Sequence, residues 1–412
     1  MPRCGSRIVL LVMVGAVAAC SGGGTDIISP PPPPPTGLTL AFLPDADDVP
    51  TAAALGWQAG IPGLAVTLTP RDSSRAPRSF TSSSQGALAI ADLEAGDYVL
   101  EAGRWLTNAE RAKLAHGDDA AGFATRLDVR VAGSGTQNLT VPASRRRALV
   151  ISEWAFNALT AAGLGAYYFG GYLKLTNNAD TTVYLDGVVI GEGFAVYADF
   201  PLSPCAENAP YAQDSEGIWT RFFQQIPGSG RDHPLPAGQS VTIATDAIDH
   251  RPIFPRGPDL RGADFEFSGI SDADNPDVPN MLDVGIQSHS DGHGLYFQGN
   301  ASVVVIAMPV AVAGLTVRHF AEATYARLPR DHILDVLWVR SNYLDSPYAE
   351  CPRLVGELFD RAGSLARGTD EAAEGSFSLS RRSVPGPPAS VLQHTRSSAA
   401  DFVRTRRSLA PE

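Results

Sequence analysis

After residue 36, the chain contains many short segments in which every second residue is apolar. This spacing predicts β-strands with one buried face, because successive side chains of a strand point to opposite sides. Segments rich in Gly, Ser, Asp and Asn separate them and predict turns. Up to residue 142, the predicted strands lie around Thr39–Leu43, Leu64–Leu68, Leu88–Ile90, Tyr98–Ala102, Leu127–Val131 and Leu139–Val141.

One segment of this region has helical character. It is Thr107–His116, in which Thr107 can cap the first turn together with Glu110, three residues later. Gly117 can end the helix, because glycine adopts the left-handed conformation that often follows a last turn. We therefore expect one short helix among the strands.

A long apolar stretch, Ala301–Val317, has the hydrophobicity of a membrane span. It is dominated by β-branched residues, however, and contains Pro309 and Gly314. Proline cannot donate a ladder hydrogen bond and marks bends between strands. The stretch therefore predicts two strands around a bend at Pro309.

These patterns predict a mostly β protein with two β-sandwich modules. The first covers residues 37–142 and the second residues 147–412, with the basic run Arg145-Arg146-Arg147 at the junction. Within the second module, Asp199–Ala237 and Asp246–Asp283 are rich in proline and predict long surface loops.

Two segments of the first module carry a family resemblance. They are Pro62–Leu68 and Gln85–Leu100, which read as a strand, a polar hairpin and two further strands. This pattern resembles the carboxypeptidase-regulatory-like, prealbumin-type β-sandwich. Gly86 and Gly96 then serve as turn residues, and Tyr98 fills the core. The family is a non-catalytic companion domain, so the resemblance implies no peptidase activity.

The second module resembles the lamin-tail immunoglobulin-like fold at Leu149–Glu153 and Gly171–Gly187. It is more similar still to a family of exported bacterial lipoproteins of unknown function. Supporting segments are Pro258–Glu266, Asp274–Asn280, Ser378–Arg382, Val391–Leu392 and Asp401–Phe402. Lys174 stands where the lamin-tail pattern has Glu, and His394–Ser397 replaces an Asp-Thr-Asn-Asn run. The resemblance implies a fold and a compartment, and no mechanism.

The first 36 residues predict export and a lipid anchor. Residues 1–19 have the charge pattern and short apolar core of a signal peptide. Small residues precede Cys20, as in the lipobox of bacterial lipoproteins, so we expect lipidation of Cys20. Ser21 in the next position indicates transport to the outer membrane, in either leaflet. Residues 20–36 contain Pro30–Pro35, a stiff polyproline spacer that would hold the folded part away from the lipid.

Composition changes the list of partners. The formal net charge is -12, and the compact basic clusters are Arg145–Arg147 and Arg404–Arg407. A nucleic-acid-binding protein would present a basic face, so we expect no nucleic-acid partner.

Two cysteines, Cys205 and Cys351, remain after signal removal and lipidation, each beside a proline. In an oxidising compartment they are candidates for a disulfide, with a two-cysteine metal site as the alternative.

Two further groups could bind metal ions. His289, Asp291 and His293 would point the same way on a strand and could hold zinc, whereas a hairpin turn at Asp291-Gly292 would separate them. Asp272, Asp274 and Asp277 could provide oxygen ligands for calcium, but Pro276 and Pro279 favour a structural turn. We expect no metal and no cofactor at either group.

The functional expectation is binding, without catalysis. The chain has no nucleophile elbow, zinc-protease motif or phosphate-binding loop, and nothing in the sequence brings Glu153 and Asp264 together as a carboxylate pair. We expect an envelope lipoprotein that binds a partner protein through sandwich edges and loops. The alternative is a glycan- or polymer-binding module that uses Trp219, Phe222 and Phe223, provided that these form an exposed platform. A metal-dependent hydrolase is the least favoured interpretation.

Overall fold

The structure is a computed structural model. It describes residues 36–116, 119–155, 159–161, 165–167, 169–193, 214–253, 255, 257–269, 274–284, 303–320, 323–340, 355–365, 377–385 and 391–409. The fold is mostly β, as the sequence predicts. In this described part, no helix has the length and apolar character needed to span a membrane.

The first module contains two sheets that share one core. A three-stranded sheet has the order β4-β1-β7, and a five-stranded sheet has the order β3-β2-β5-β6-β8. The strands are β1 (Thr36–Pro44), β2 (Ala65–Pro70), β3 (Arg78–Thr81), β4 (Ala87–Leu93), β5 (Gly96–Trp105), β6 (Ala120–Val131), β7 (Gly135–Val141) and β8 (Ala143–Arg145). The β1–β7 pair is parallel and the other pairs of this module are antiparallel.

The alternation in the sequence corresponds to burial in these strands. Leu64, Val66 and Leu68 point into the core, and Leu88 and Ile90 meet them from the other sheet. This packing of two apolar faces stabilises the module, since one sheet alone would leave its face in water.

The first module has two short helices. The predicted one, α2, is confirmed at its start, where Thr107 and Glu110 form the capping box. It extends only over Asn108–Arg111, so the predicted end near His116 is wrong. A four-residue helix of this kind is held by its cap and buries no residue.

The second helix of the first module, α1 (Val49–Leu55), is not predicted by the sequence pattern. A proline in its first turn marks its start, and Gly56 in the left-handed conformation ends it.

The second module is built on two larger sheets. The six-stranded sheet has the order β18-β17-β12-β9-β25-β26. The eight-stranded sheet has the order β21-β22-β15-β14-β20-β23-β24, with β19 paired to β15. The strands are β9 (Leu149–Ala155), β12 (Tyr172–Asn177), β14 (Val189–Gly193), β15 (Gly217–Gln225), β17 (Ser240–Ala244), β18 (Phe265–Glu266), β19 (Leu282–Asp283), β20 (Val303–Ala307), β21 (Thr316–Phe320), β22 (Ala323–Pro329), β23 (Ile333–Arg340), β24 (Ser364–Leu365), β25 (Phe377–Arg381) and β26 (Phe402–Arg406). Two small ribbons pair β10 (Leu159–Ala161) with β11 (Gly165–Tyr167), and β13 (Val183–Tyr184) with β16 (Pro234–Leu235).

The eight-stranded sheet is apolar on both faces. One face packs on the six-stranded sheet through residues such as Ile190, Val304 and Leu337. The other face carries a second cluster that includes Trp219 and Phe223. A strand buried on both faces needs a continuous apolar run, which explains why all five residues of β20 are buried.

Two expectations about irregular segments have different outcomes. The stretch around Pro309 does form two strands, β20 and β21, although each pairs with other neighbours in the sheet. The predicted loop Asp199–Ala237 is wrong over Gly217–Gln225, which forms the nine-residue strand β15. Its aromatic residues signal a strand with two buried faces, where the proline content nearby had favoured a loop. The described residues of Asp246–Asp283 are largely irregular and include the two-residue strands β18 and β19.

Candidate functional site

Several of the predicted site residues lie outside the described residues. They are the lipidation site Cys20, the disulfide candidates Cys205 and Cys351, the zinc candidates His289, Asp291 and His293, and Asp272 of the calcium candidate. Their roles remain predictions. Among the residues that the structure does describe, no three His, Cys, Asp or Glu side chains are grouped so that they could hold a metal ion.

The other two aspartates of the calcium candidate take part in a turn. Asp274 accepts a hydrogen bond from the Asn280 side chain at 2.6 Å. The backbone N–H of Asp277 donates to Asn275, whose side-chain amide donates to Ala247. This pattern corresponds to the structural turn that the two prolines favour.

The predicted aromatic platform is placed in the interior. Trp219 is 1% exposed, and its indole N–H donates to Asp214 at 2.8 Å. The Arg318 guanidinium covers the indole ring at 4.8 Å from the ring centroid. Phe223 is fully buried, and the side chain of Phe222 lies outside the described set. Trp219 and Phe223 therefore offer no flat surface to a sugar ring.

Glu153 and Asp264 have separate structural roles. Glu153 is 5% exposed and accepts hydrogen bonds from Tyr172, Ser378 and Ser408. Lys174, the departure from the lamin-tail pattern, forms an ion pair with it at 3.5 Å. Asp264 instead accepts from the Thr242 backbone N–H. Each carboxylate is engaged by its own partners.

A buried polar network joins the eight-stranded sheet to the C-terminal segment. Its centre is Arg381, which forms an ion pair with Asp335 at 2.5 Å and one with Asp401 at 3.5 Å. Arg381 also donates to the backbone carbonyl of Ile151 at 2.6 Å. Burial disfavours a charged carboxyl at Asp335, but the charges of Arg381 and His394 outweigh it and lower its pKa.

The unusual tail sequence His394–Ser397 supplies part of this network. Thr395 donates to Asp401 through its backbone N–H and its hydroxyl, and Ser397 caps the helix α3 (Ser398–Asp401). Arg396 has a φ of 57°, the only positive value at a non-glycine residue in the described part. A strained backbone of this kind persists only where the surrounding contacts fix it.

The network contains Asp, His and Ser, but it does not form a hydrolytic triad. His394 Nε2 lies 3.2 Å from Asp335 Oδ1. Ser398 is buried, and its hydroxyl donates to Asp360 and accepts from the Trp338 backbone N–H. The Ser398 hydroxyl therefore caps polar groups of the interior, whereas a catalytic serine needs a base and access to substrate. Burial raises the pKa of Asp360 to about 7.

An open cavity of about 130 Å³ lies beside this network, where the two modules meet. We call it the junction pocket. Its walls are formed by β23, the segment around Phe359, the C-terminal tail and the link between the modules. Its charged or titratable lining residues are Arg145, Arg147, Arg330, Asp335, His394 and Arg396. Backbone hydrogen bonds hold the two sides together: Arg145 N–H donates to the His394 carbonyl, and His394 N–H donates to the Ser144 hydroxyl.

Carboxylates of the first module balance these arginines only partly. Arg145 forms an ion pair with Asp48 at 2.5 Å and shares Asp119 with Arg147, which lies at 3.5 Å. Arg396 shares Asp47 with Arg361, an arginine outside the pocket lining. Arg361 also pairs with Asp45 at 2.8 Å, so Arg330 is the one lining arginine without an ion pair among the described residues.

Two lining residues have a buried nitrogen without a hydrogen-bond partner. Among the described residues, Arg147 Nε and His394 Nδ1 have no partner. His394 is also only 5% exposed. Buried polar atoms are normally paired, and an orphaned one calls for a missing ion, water or ligand. The pocket is therefore an incompletely satisfied site.

Local sequence patterns do not reveal this site. Its available signal is the run Arg145–Arg147, which by itself predicts only a junction between modules. Arg330, His394 and Arg396 are isolated in sequence, and only the folded chain brings them to the first module.

No family model matches the chain, and no curated protein matches it. A solved structure of a DUF4876 family protein from Bacteroides thetaiotaomicron matches over 90% of this chain and 95% of its own, with 14% identity and a TM-score of 0.51. A DUF3823 family protein from Bacteroides uniformis matches over 66% and 89%, with 11% identity and a TM-score of 0.18. The 5-hydroxyisourate hydrolase of Klebsiella pneumoniae matches over 26% and 85%, with 17% identity and a TM-score of 0.17. The first of these likenesses establishes a shared fold for most of the chain.

Proposed function

We propose that this protein is a non-catalytic accessory protein of the bacterial envelope that binds another envelope protein at the junction pocket. Lipid on Cys20 would anchor it to the outer membrane, and the proline-rich spacer would hold the modules away from the lipid. The observation that carries the proposal is the pocket itself, an open cavity with four arginines and two buried nitrogens that have no described partner.

The chemistry of the pocket favours binding over catalysis. The interior groups that could serve as acid, base or nucleophile are engaged with one another, as Asp335 is with Arg381 and Ser398 is with Asp360. Arginine remains charged in proteins and does not serve as a general base, but it does bind anionic groups firmly. The unsatisfied groups therefore belong to recognition.

A protein partner is favoured over a glycan. The aromatic side chains Trp219 and Phe223, which could have formed a platform for a sugar, are both buried. The pocket instead has an apolar rim that includes Leu358, which is 38% exposed. Arginines beside exposed apolar side chains are typical of protein interfaces.

The test is capture of the full lipidated protein from native membranes in mild detergent, followed by identification of co-purifying proteins by mass spectrometry. The pocket variant is Arg147→Glu/Arg330→Glu, and the matched control is Arg130→Glu, an exposed arginine on β6 that does not line the pocket. We expect one envelope protein in near-stoichiometric amount with the wild type and the control, and its loss with the pocket variant. Recovery of the lipoprotein alone, or equal capture by all three proteins, would contradict the proposal.

A further inference from the structure

We infer that the junction pocket is a receptor for one oxyanion, a carboxylate or phosphate group. This inference rests on the proposed function, because that group would be an acidic side chain of the bound partner. The inference states which chemical group the pocket binds, whereas the proposed function states only where the partner binds.

The charges of the lining carry the first step. Four arginines line the cavity, and Asp335 is the single carboxylate among the described lining residues. Asp335 is already engaged by Arg381 and His394, so it cannot neutralise the arginines. Arg330 is exposed and has no ion pair among the described residues, and Arg147 has only a long one to a shared aspartate. An anion would complete this arrangement.

The orphaned nitrogens carry the second step. Arg147 Nε is a donor that no described group satisfies. A guanidinium presents its N–H groups as a rigid fork, which matches the paired oxygens of a carboxylate or phosphate. A bound group would reach the exposed parts of the Arg147 and Arg330 side chains and gain charge-assisted hydrogen bonds from them.

His394 adds a further contact in one protonation state. When Nε2 donates to Asp335, Nδ1 accepts in the neutral ring and donates in the imidazolium. The charged groups around the ring are Asp335 on β23, Asp401 on α3, Arg381 on β25 and the lining arginines.

The size of the cavity carries the third step. Its volume of about 130 Å³ has room for one carboxylate or phosphate group. The remainder of the ligand would stay outside, as expected for a side chain presented by a protein.

The test is a titration of the full-length protein in detergent with sodium phosphate, sodium acetate and the peptide acetyl-Gly-Glu-Glu-Gly-amide, against sodium chloride at equal ionic strength. The readouts are the melting temperature and the heat of binding. We expect saturable stabilisation by the oxyanions, an apparent affinity at least tenfold weaker in Arg147→Gln and in Arg330→Gln, and no change in Arg130→Gln. The unliganded melting temperature of each variant checks its fold.

The three ligands of this titration distinguish an acidic side chain from free phosphate as the source of the anion. Together with the capture experiment, the titration also distinguishes failure of the oxyanion site from failure of the proposed function. Tighter binding of the peptide than of phosphate supports an acidic side chain, and the reverse order supports a free phosphate as the ligand. Stabilisation no greater than that of chloride, or equal in every variant, overturns the oxyanion site. If anions bind as expected but no partner is captured, the proposed function fails and the site stands. If capture depends on the arginines but no anion binds, only the present inference fails.

Discussion

Arg381 and Asp335 form an ion pair of 2.5 Å in the interior of the second module, where their side chains are 1% and 2% exposed. The pair links β25 of the six-stranded sheet to β23 of the eight-stranded sheet. It lies directly behind the junction pocket, because Asp335 and its other partner, His394, both line that cavity. The stability of the pocket wall therefore depends on a buried charge cluster.

Replacement of Arg381 by methionine should destabilise the protein strongly. Arg381→Met leaves Asp335 and Asp401 buried without their cation, a change that costs about 3–5 kcal/mol when one partner of a buried pair is removed. The free energy of unfolding, measured with urea, checks this. The control Arg251→Met removes exposed ion pairs to Asp249 and Asp259, and should cost much less, because water screens exposed pairs. Equal losses in both variants would contradict the account of the cluster.

Asp360 should make stability fall as the pH rises towards neutrality. Burial raises its pKa to about 7 from an ordinary value of 3.8. A carboxyl with a raised pKa in the folded state stabilises fully below its unfolded pKa, and this contribution is lost as the pH rises through 7. Asp360→Asn should therefore flatten the decline in urea midpoint between pH 4 and pH 7. The exposed Asp92→Asn serves as the control and should leave the decline unchanged.

Glu153 should act in the opposite direction. Burial alone would raise its pKa, but hydrogen bonds from Ser408, Ser378 and Tyr172 outweigh burial and lower it. A lowered pKa gives stability that is present above the unfolded value and is lost as the pH falls through the folded one. Glu153→Gln should cost about 1–3 kcal/mol at pH 7 and reduce the loss of stability in acid. A variant as stable as the wild type at pH 7 would show that the contacts of Glu153 contribute little.

Gly86 is required by the geometry of its turn. Its φ is +71°, and an added Cβ would lie 2.4 Å from the backbone of Gly60 and Ile61. Gly86→Ala should cost at least about 1–3 kcal/mol, the strain of a non-glycine residue in this region. Gly133→Ala is the matched control, because an added Cβ there has no neighbour within 4 Å. Thermal unfolding of the two variants compares the costs, and a Gly86→Ala protein as stable as its control would refute the turn argument.

Local sequence patterns predict the strands because, in a strand with one buried face, every second residue is buried and apolar. Leu64, Val66 and Leu68 are a clear case, as is the capped start of α2 at Thr107. The patterns fail where a strand is buried on both faces, as in β15, because the alternation of apolar and polar residues is then lost. Without that alternation, Trp219 cannot be distinguished in the sequence from an aromatic residue of a loop.

The junction pocket could not be predicted in this way. Arg147, Arg330 and His394 are separated by long stretches of sequence and occupy the link, a 3₁₀ turn and the C-terminal tail. No local pattern records their proximity, which arises only when the tail hydrogen-bonds to β8 through Arg145 and His394. The orphaned nitrogens are likewise a property of packing.

Site-specific photo-crosslinking in intact cells tests the central claim most directly. Leu358 lines the pocket and is 38% exposed, so a benzoylphenylalanine at this position would lie beside a bound partner. Ile253, which is 53% exposed and does not line the pocket, is the matched control position. The account predicts one adduct of defined mass from position 358, lost when Arg147→Glu and Arg330→Glu are added, and none from position 253. No adduct at 358, or the same adducts at both positions, would contradict it.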